Sequence, residues 1–214
     1  MFWKKWVIEL VAAFVVQAAL ATTANGGTPP TQAASARGGD FTLRSSDGPV
    51  SLRQFRGKVV LLFFGYTACP DVCPTTLAVL STVFSKLKPE ELDQVIALFV
   101  SLDPARDTPE LLEKYTGYFH PNIVGVTARV EVLKEVTGRY GVTYERKEKA
   151  NYPLGYVIDH TPDVLVVDKE GQLLDARIGP ATRSQDIVKY LRKLLGSAGR
   201  SLSRHSSAGR VTYY

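Results

Sequence analysis

Apolar and polar positions change period along the chain, and each change marks an element. Phe41-Thr42-Leu43 and Val50-Ser51-Leu52 alternate on either side of the turn signal Ser46-Asp47-Gly48, which predicts a short hairpin. Residues 59–64, Val-Val-Leu-Leu-Phe-Phe, form an unbroken apolar run of strand length, as expected of a central strand covered on both faces. Leu77, Leu80, Val83, Phe84 and Leu87 then recur at helical spacing until Lys88-Pro89 closes the segment. A second buried strand is predicted over 95–102. Thr108-Pro109-Glu110 opens a helix with a hydroxyl cap, a first-turn proline and an early acid, and Leu111, Leu112, Tyr115 and Phe119 are expected on its inner face. A third helix over 130–140 turns Val132, Leu133 and Val136 inward and leaves through Gly138 and Gly141. Strands at 164–167 and 173–178 meet at Asp168-Lys169-Glu170-Gly171, and a last helix runs from about Thr182 to Leu195.

This order is that of an α/β domain with one antiparallel edge: a thioredoxin-like fold, a central mixed sheet flanked by helices, with an N-terminal β-hairpin extension and one extra helix. Residues 40–196 form the expected domain. Residues 1–21 carry Lys4 and Lys5 ahead of an apolar run that ends in Ala19-Leu20-Ala21, which reads as an export signal or an N-terminal membrane anchor. In either case the domain is exported. Residues 22–39 are Gly, Pro, Thr, Ser and Ala without a large apolar side chain and read as a flexible linker, and 197–214 as a disordered basic tail.

The formal charge of +5 belongs to those ends. Setting aside Glu9 and the eight bases Lys4, Lys5, Lys189, Arg192, Lys193, Arg200, Arg204 and Arg210 leaves 18 bases against 20 acids. The middle of the chain has no basic footprint for nucleic acid. Its single Met is residue 1, which argues against a Met-based metal carrier.

Both cysteines, Cys69 and Cys73, follow the first buried strand at the mouth of a helix. Ligands of open α/β sheets gather beyond the carboxyl ends of the strands, and a helix N-terminus stabilises a thiolate through its unpaired N–H groups. The i, i+4 relation puts both sulfurs on one face, a soft site suited to Cu(I) or Zn. A structural disulfide is the weaker reading, because so short a loop removes little unfolded-state entropy. Among the three histidines, His205 lies in the basic tail and His120 at a helix end before Pro121, where a C-terminal cap is expected. His160 lies in Ile158-Asp159-His160-Thr161-Pro162, in a loop expected to face the cysteines, with Asp159 placed to accept the ring N–H or to adjust a metal's charge.

The segment Cys69-Pro70-Asp71-Val72-Cys73-Pro74 resembles the Cys-Pro-Asp-x-Cys-Pro motif of the Sco family (Sco/SenC), copper chaperones of cytochrome c oxidase assembly. Ser101-Leu102-Asp103-Pro104-Ala105-Arg106-Asp107-Thr108-Pro109 is similar to that family's Ser-x-Asp-Pro-x-Arg-Asp-Thr-Pro stretch, and Asp159-His160-Thr161 to its Asp-His-Ser/Thr. The resemblance runs in order from about Phe41 to Leu195. It implies one copper ion, Cu(I) or Cu(II), held by Cys69, Cys73 and His160 in a membrane-tethered domain. It further implies delivery to the binuclear copper centre of cytochrome c oxidase subunit II, in a bacterial periplasm, with another periplasmic copper carrier as a potential donor.

Ala68 stands where many members of that family carry a histidine. Thr161-Pro162 precedes a strand at the point where thioredoxin-type oxidoreductases hold a cis proline, so this bond is a candidate cis peptide. Strand end, turn and helix cap explain Asp103, Thr108 and Pro109, whereas Arg106 and Asp107 are candidates for a docking surface. The rival functions are a thiol–disulfide oxidoreductase using Cys69 and Cys73 to keep oxidase cysteines reduced, and, more weakly, a peroxidase. The first rival gives His160 no required role. The second lacks a Pro-x-x-x-Thr-x-x-Cys stretch around Cys69.

Overall fold

The computed structural model describes residues 37–150 and 155–196. The export or anchor segment, all of the expected linker but residues 37–39, His205 and the C-terminal tail lie outside them. Among the described residues no helix is long and apolar enough to cross a membrane.

The hairpin β1 (Thr42–Ser45) and β2 (Gly48–Ser51) comes first, followed by β3 (Val59–Gly65) and α1 (Val72–Ser85). After the short α2 (Pro89–Leu92) come β4 (Val95–Ser101), α3 (Pro109–Gly117), β5 (Ile123–Val126) and α4 (Val130–Tyr140). The chain then forms β6 (Tyr144–Glu148), β7 (Tyr156–His160), β8 (Val164–Val167), β9 (Leu173–Ile178) and α5 (Ser184–Gly196). The main sheet has the order β5-β4-β3-β8-β9, with β3, β4 and β5 parallel and β8 and β9 antiparallel to their neighbours. β6 and β7 form a separate antiparallel pair.

β3 explains the layering. Its odd and even residues point to opposite faces, and both faces are buried. Val60, Leu62 and Phe64 join the core under the N-terminal hairpin and α4, where Leu43, Leu133, Val136 and Tyr140 pack. Leu61 and Phe63 join the core under α1, α3 and α5, with Leu77, Leu112 and Leu191. Each fully buried Leu or Phe contributes about 1.5–3 kcal/mol relative to exposure, so this strand carries a large share of the fold's stabilisation.

Thr108 caps α3 as expected, its hydroxyl accepting from the Leu111 N–H at 3.2 Å. The inner face of α3 differs from the sequence reading. Leu111 is 42% exposed, while Leu112 and Thr116 are buried. Leu111 and Leu112 point about 100° apart on a helix, and Leu112 wins because α3 presses on β5 at Gly125. A Cβ at Gly125 would lie 2.7 Å from the Leu112 Cβ, so only glycine permits this approach.

Four of these elements escape the sequence pattern. β5 is four residues with a glycine, α2 is a single turn, β6 is Tyr-Glu-Arg-Lys-Glu with no apolar alternation, and β7 covers residues expected to form a loop. The linker's last residues are anchored: the Gly38 N–H donates to the Arg139 carbonyl at 2.8 Å, and the Tyr140 hydroxyl donates to the Gly39 carbonyl at 2.6 Å.

Candidate metal centre

Cys69 lies in the turn between β3 and α1, and Cys73 in the first turn of α1. Asp71, the N-cap of α1, makes no side-chain capping bond, so the first-turn N–H groups remain for the Cys69 sulfur, which receives hydrogen bonds from the Asp71 and Cys73 backbone. Cys73 is buried and Cys69 half-buried, and both are free thiols. Gly65 makes room for the deeper sulfur. A Cβ there would fall 2.7 Å from Cys73 Sγ and 2.8 Å from a ring carbon of Phe99, so any side chain at residue 65 displaces the cysteine.

His160 ends β7 rather than occupying a loop, because β7 pairs with β6 up to the match of Tyr144 with His160. Its Nε2 lies 3.5 Å from Cys73 Sγ. On the other side of the ring, Nδ1 lies 2.9 Å from the Thr161 carbonyl, which can only accept, so Nδ1 carries the proton and Nε2 keeps its lone pair toward the cysteines. The rings of Phe63 at 6.2 Å and Tyr66 at 6.1 Å meet the imidazole edge-on. Sγ of Cys69, Sγ of Cys73 and a ring nitrogen of His160 all lie within 4.8 Å of one another.

A metal with sulfur bonds of about 2.3 Å and nitrogen bonds of about 2.0 Å spaces its ligand atoms roughly 3.5–4 Å apart. The observed spacing needs only a small contraction to match. Two thiols and one neutral imidazole form a soft donor set open on one side.

The two sulfurs titrate as a coupled pair. Cys69 is held well below the ordinary thiol range because the Cys73 thiol donates to its thiolate, an effect that outweighs burial, and the backbone N–H groups of Asp71 and Cys73 add to it. Cys73 is pushed upward because it is that donor and is itself buried. The reactive form of Cys69 therefore predominates at neutral pH. Its alkylation rate by iodoacetamide is expected to stay nearly flat from about pH 8 to pH 6, whereas an ordinary thiol slows about tenfold per unit there. Peptide mapping should find the label on Cys69; a tenfold fall per unit, or label on Cys73, would contradict this assignment.

Several sequence expectations change. Asp159 does not bond the His160 ring. Consecutive strand residues face opposite ways, so Asp159 points outward to an ion pair with Lys147 Nζ, and the Thr161 carbonyl takes the ring N–H. The Thr161–Pro162 bond is trans. The ladder extends one residue beyond β7, with the Thr161 N–H donating to the Thr143 carbonyl at 2.9 Å, and this extended backbone suits the residue before a trans proline. At His120 the backbone N–H meets a helix-end carbonyl, that of Thr116 at 3.2 Å, but the imidazole does not: its Nδ1 accepts from the Asn122 N–H at 3.0 Å, its ring packs 5.1 Å from Phe84, and burial lowers its pKa.

Arg106 and Asp107 do not form a docking surface either, because Asp107 is 1% exposed. Its carboxylate accepts from the Thr67 N–H at 2.9 Å, the Thr67 hydroxyl at 2.5 Å and the Ser101 hydroxyl at 2.6 Å, which ties the cysteine turn to the end of β4. Asp103 accepts from the Tyr156 hydroxyl at 2.7 Å and pairs with Arg106. Their supporting role was visible only as a run of polar residues that a turn and cap already explained.

The SCO1/SenC family model matches residues 29–196. The chain belongs to the SCO1/SenC family. Among this family's curated members, the SCO2-like protein RP587 of Rickettsia prowazekii is 36% identical over 138 residues, 64% of this chain and 67% of that protein. The matched stretch spans about two thirds or less of the curated relatives' own lengths. The solved structure of Bradyrhizobium japonicum ScoI with copper bound superposes with a TM-score of 0.68 at 32% identity, covering 75% of this chain and all (100%) of that one. BsSco, described with a disulfide switch and as a member of the Sco family of cytochrome c oxidase assembly proteins, superposes with a TM-score of 0.57 at 25% identity, covering 77% of this chain and 96% of that one. These SCO1/SenC relatives agree with the thioredoxin-like architecture described above.

Proposed function

We propose that this chain is a copper metallochaperone that binds one copper ion through Cys69, Cys73 and His160 and delivers it to the binuclear copper centre of cytochrome c oxidase subunit II. The convergence of three soft donor atoms from two segments of the chain, 87 residues apart between Cys73 and His160, carries the reading. Copper bound to a related Sco structure and the oxidase-assembly role of the family to which BsSco belongs support the metal and the destination. A three-ligand, half-exposed site suits transfer, since an incoming ligand can join before an old one leaves, whereas a closed four-ligand site retains its ion. Residues 1–21 and the linker after them support an exported domain in a bacterial periplasm, anchored to the membrane if the segment is retained, with the copper supplied by another carrier.

Anaerobic titration of the reduced chain with Cu(I) is expected to reach an endpoint at one ion per chain. Prior oxidation of the cysteines should abolish uptake. Uptake that survives oxidation would place the metal elsewhere.

The half-exposed Cys69 thiolate beside the buried Cys73 thiol favours a second reading, thiol–disulfide exchange with oxidase cysteines. There Cys69 attacks the target disulfide, Cys73 resolves the mixed disulfide, and the pair ends oxidised as the target dithiol is reduced. Catalysed reduction that persists in His160→Ala, with copper binding equal to wild type, favours this second reading.

A further inference from the structure

Tyr156 stands at the far end of the strand that carries His160. Alternation along β7 puts Tyr156, Ile158 and His160 on one face, and Tyr156 and Ile158 are 8% and 6% exposed. Four residue steps along the strand take the chain from the tyrosine to the histidine, about 13 Å at 3.3 Å per step. The β6–β7 pair stands apart from the five-stranded sheet, and a two-stranded hairpin holds its position poorly without anchors.

At Tyr156 that anchor is built from charge. The hydroxyl donates to Asp103 Oδ1 at 2.7 Å, and the Arg106 and Arg146 guanidinium carbons each lie 3.7 Å from the ring centroid. Arg106 also donates to Asp103 Oδ2 and, from Nη1, to the Tyr156 carbonyl at 3.4 Å. The same guanidinium lies 5.8 Å from the centroid of Tyr66, whose ring meets His160 at 6.1 Å.

Asp103 is bound in turn to the residue that holds the cysteines. The Asp107 N–H donates to the Asp103 carbonyl at 2.9 Å, and the Ser101 hydroxyl accepts from the Asp103 N–H at 3.0 Å while donating to Asp107 at 2.6 Å. One turn thus grips the cysteine segment at Thr67 and the histidine strand at Tyr156.

We propose that Tyr156 is a positioning residue: its anchorage on Asp103 and Arg106 sets the distance of the His160 imidazole from the two sulfurs, and with it the affinity of the site for copper. The inference rests on the metal-binding reading above. Loss of the tyrosine hydroxyl leaves every donor atom in place yet frees the strand to shift, and the metal binds three ligands well only when all three arrive together. Outer-shell partners of this kind commonly govern affinity by about 10–100-fold.

The experiment compares wild type, Tyr156→Phe and Arg106→Lys in the full chain. In the metal-free protein at about pH 8, above the ordinary imidazole range, the ring resonances of His160 are recorded with those of His120 as internal reference. Tyr156→Phe is expected to shift or broaden the His160 resonances, leave those of His120 unmoved, and raise the copper dissociation constant about tenfold. A role confined to stability would lower the melting temperature while leaving both the His160 resonances and the affinity of the folded protein at wild-type values, and that result overturns the proposal. Should Tyr156→Phe fail to fold, Arg106→Lys, which keeps the charge and loses the flat stacking fork, decides by the same two readouts. A wild-type chain that takes up no copper overturns the metal-binding reading instead, while the metal-free resonances still report whether Tyr156 positions His160.

Discussion

Replacing His160 by alanine is expected to weaken Cu(II) binding by more than about 100-fold and Cu(I) binding by about tenfold. The lower bound for Cu(II) is the upper end of what loss of an outer-shell partner costs, since here the coordinating nitrogen itself is removed. The split between oxidation states follows from ligand softness: thiolates satisfy Cu(I), whereas Cu(II) depends on the imidazole. His160 is suited to that role because the Thr161 carbonyl at 2.9 Å holds the proton on Nδ1 and directs the Nε2 lone pair to the cysteines. His120→Ala is the control. Its ring is engaged by the Asn122 N–H and Phe84 and lies outside the three-residue cluster, so copper affinity should not change. Competition titrations with chelators of known affinity measure both ions, and wild-type Cu(II) affinity in His160→Ala would remove the histidine from the proposed ligand set.

The parts of this molecule that were legible in sequence are those that leave a local pattern. The central run of β3 reads as a strand buried on both faces because each face meets a core, and the hydroxyl of Thr108 with Pro109 marks the start of α3 because both satisfy the helix's first N–H groups. Cys69 and Cys73 were legible because a strand end followed by a helix start is where α/β sheets expose ligands. His160 was singled out by sequence, but its setting was not, since β6 that holds β7 in register has a wholly polar outer surface and no alternation to read. Asp159 is not the acceptor of the ring N–H, because residues adjacent along a strand face opposite ways. Asp103 and Asp107 were read as turn and surface residues. Their partners, Tyr156 and Thr67, lie 53 and 40 residues away, beyond any local pattern.

Asp107→Ala carries the largest expected cost to stability, about 3–5 kcal/mol, because it deletes the acceptor of three hydrogen bonds at a buried position and strands their donors. For a domain of this size that corresponds to a fall in melting temperature of roughly 10 °C. Asp107→Asn separates shape from chemistry. The amide fills the same space and keeps one oxygen, but its NH2 meets a hydroxyl or N–H donor where an acceptor is required, so it should recover only part of the loss. The destabilisation has a direction in the structure: Thr67 lies two residues before Cys69, and once released it lets the cysteine turn open away from the first turn of α1. Cys69 would then lose the N–H groups and the Cys73 donor that hold its thiolate, and its alkylation below neutral pH should slow toward that of an ordinary thiol in Asp107→Asn. Thermal unfolding and the pH dependence of alkylation, measured on the same variants, test both consequences. A variant that melts as wild type and keeps the flat alkylation profile would show that the cysteine turn holds its shape without Asp107.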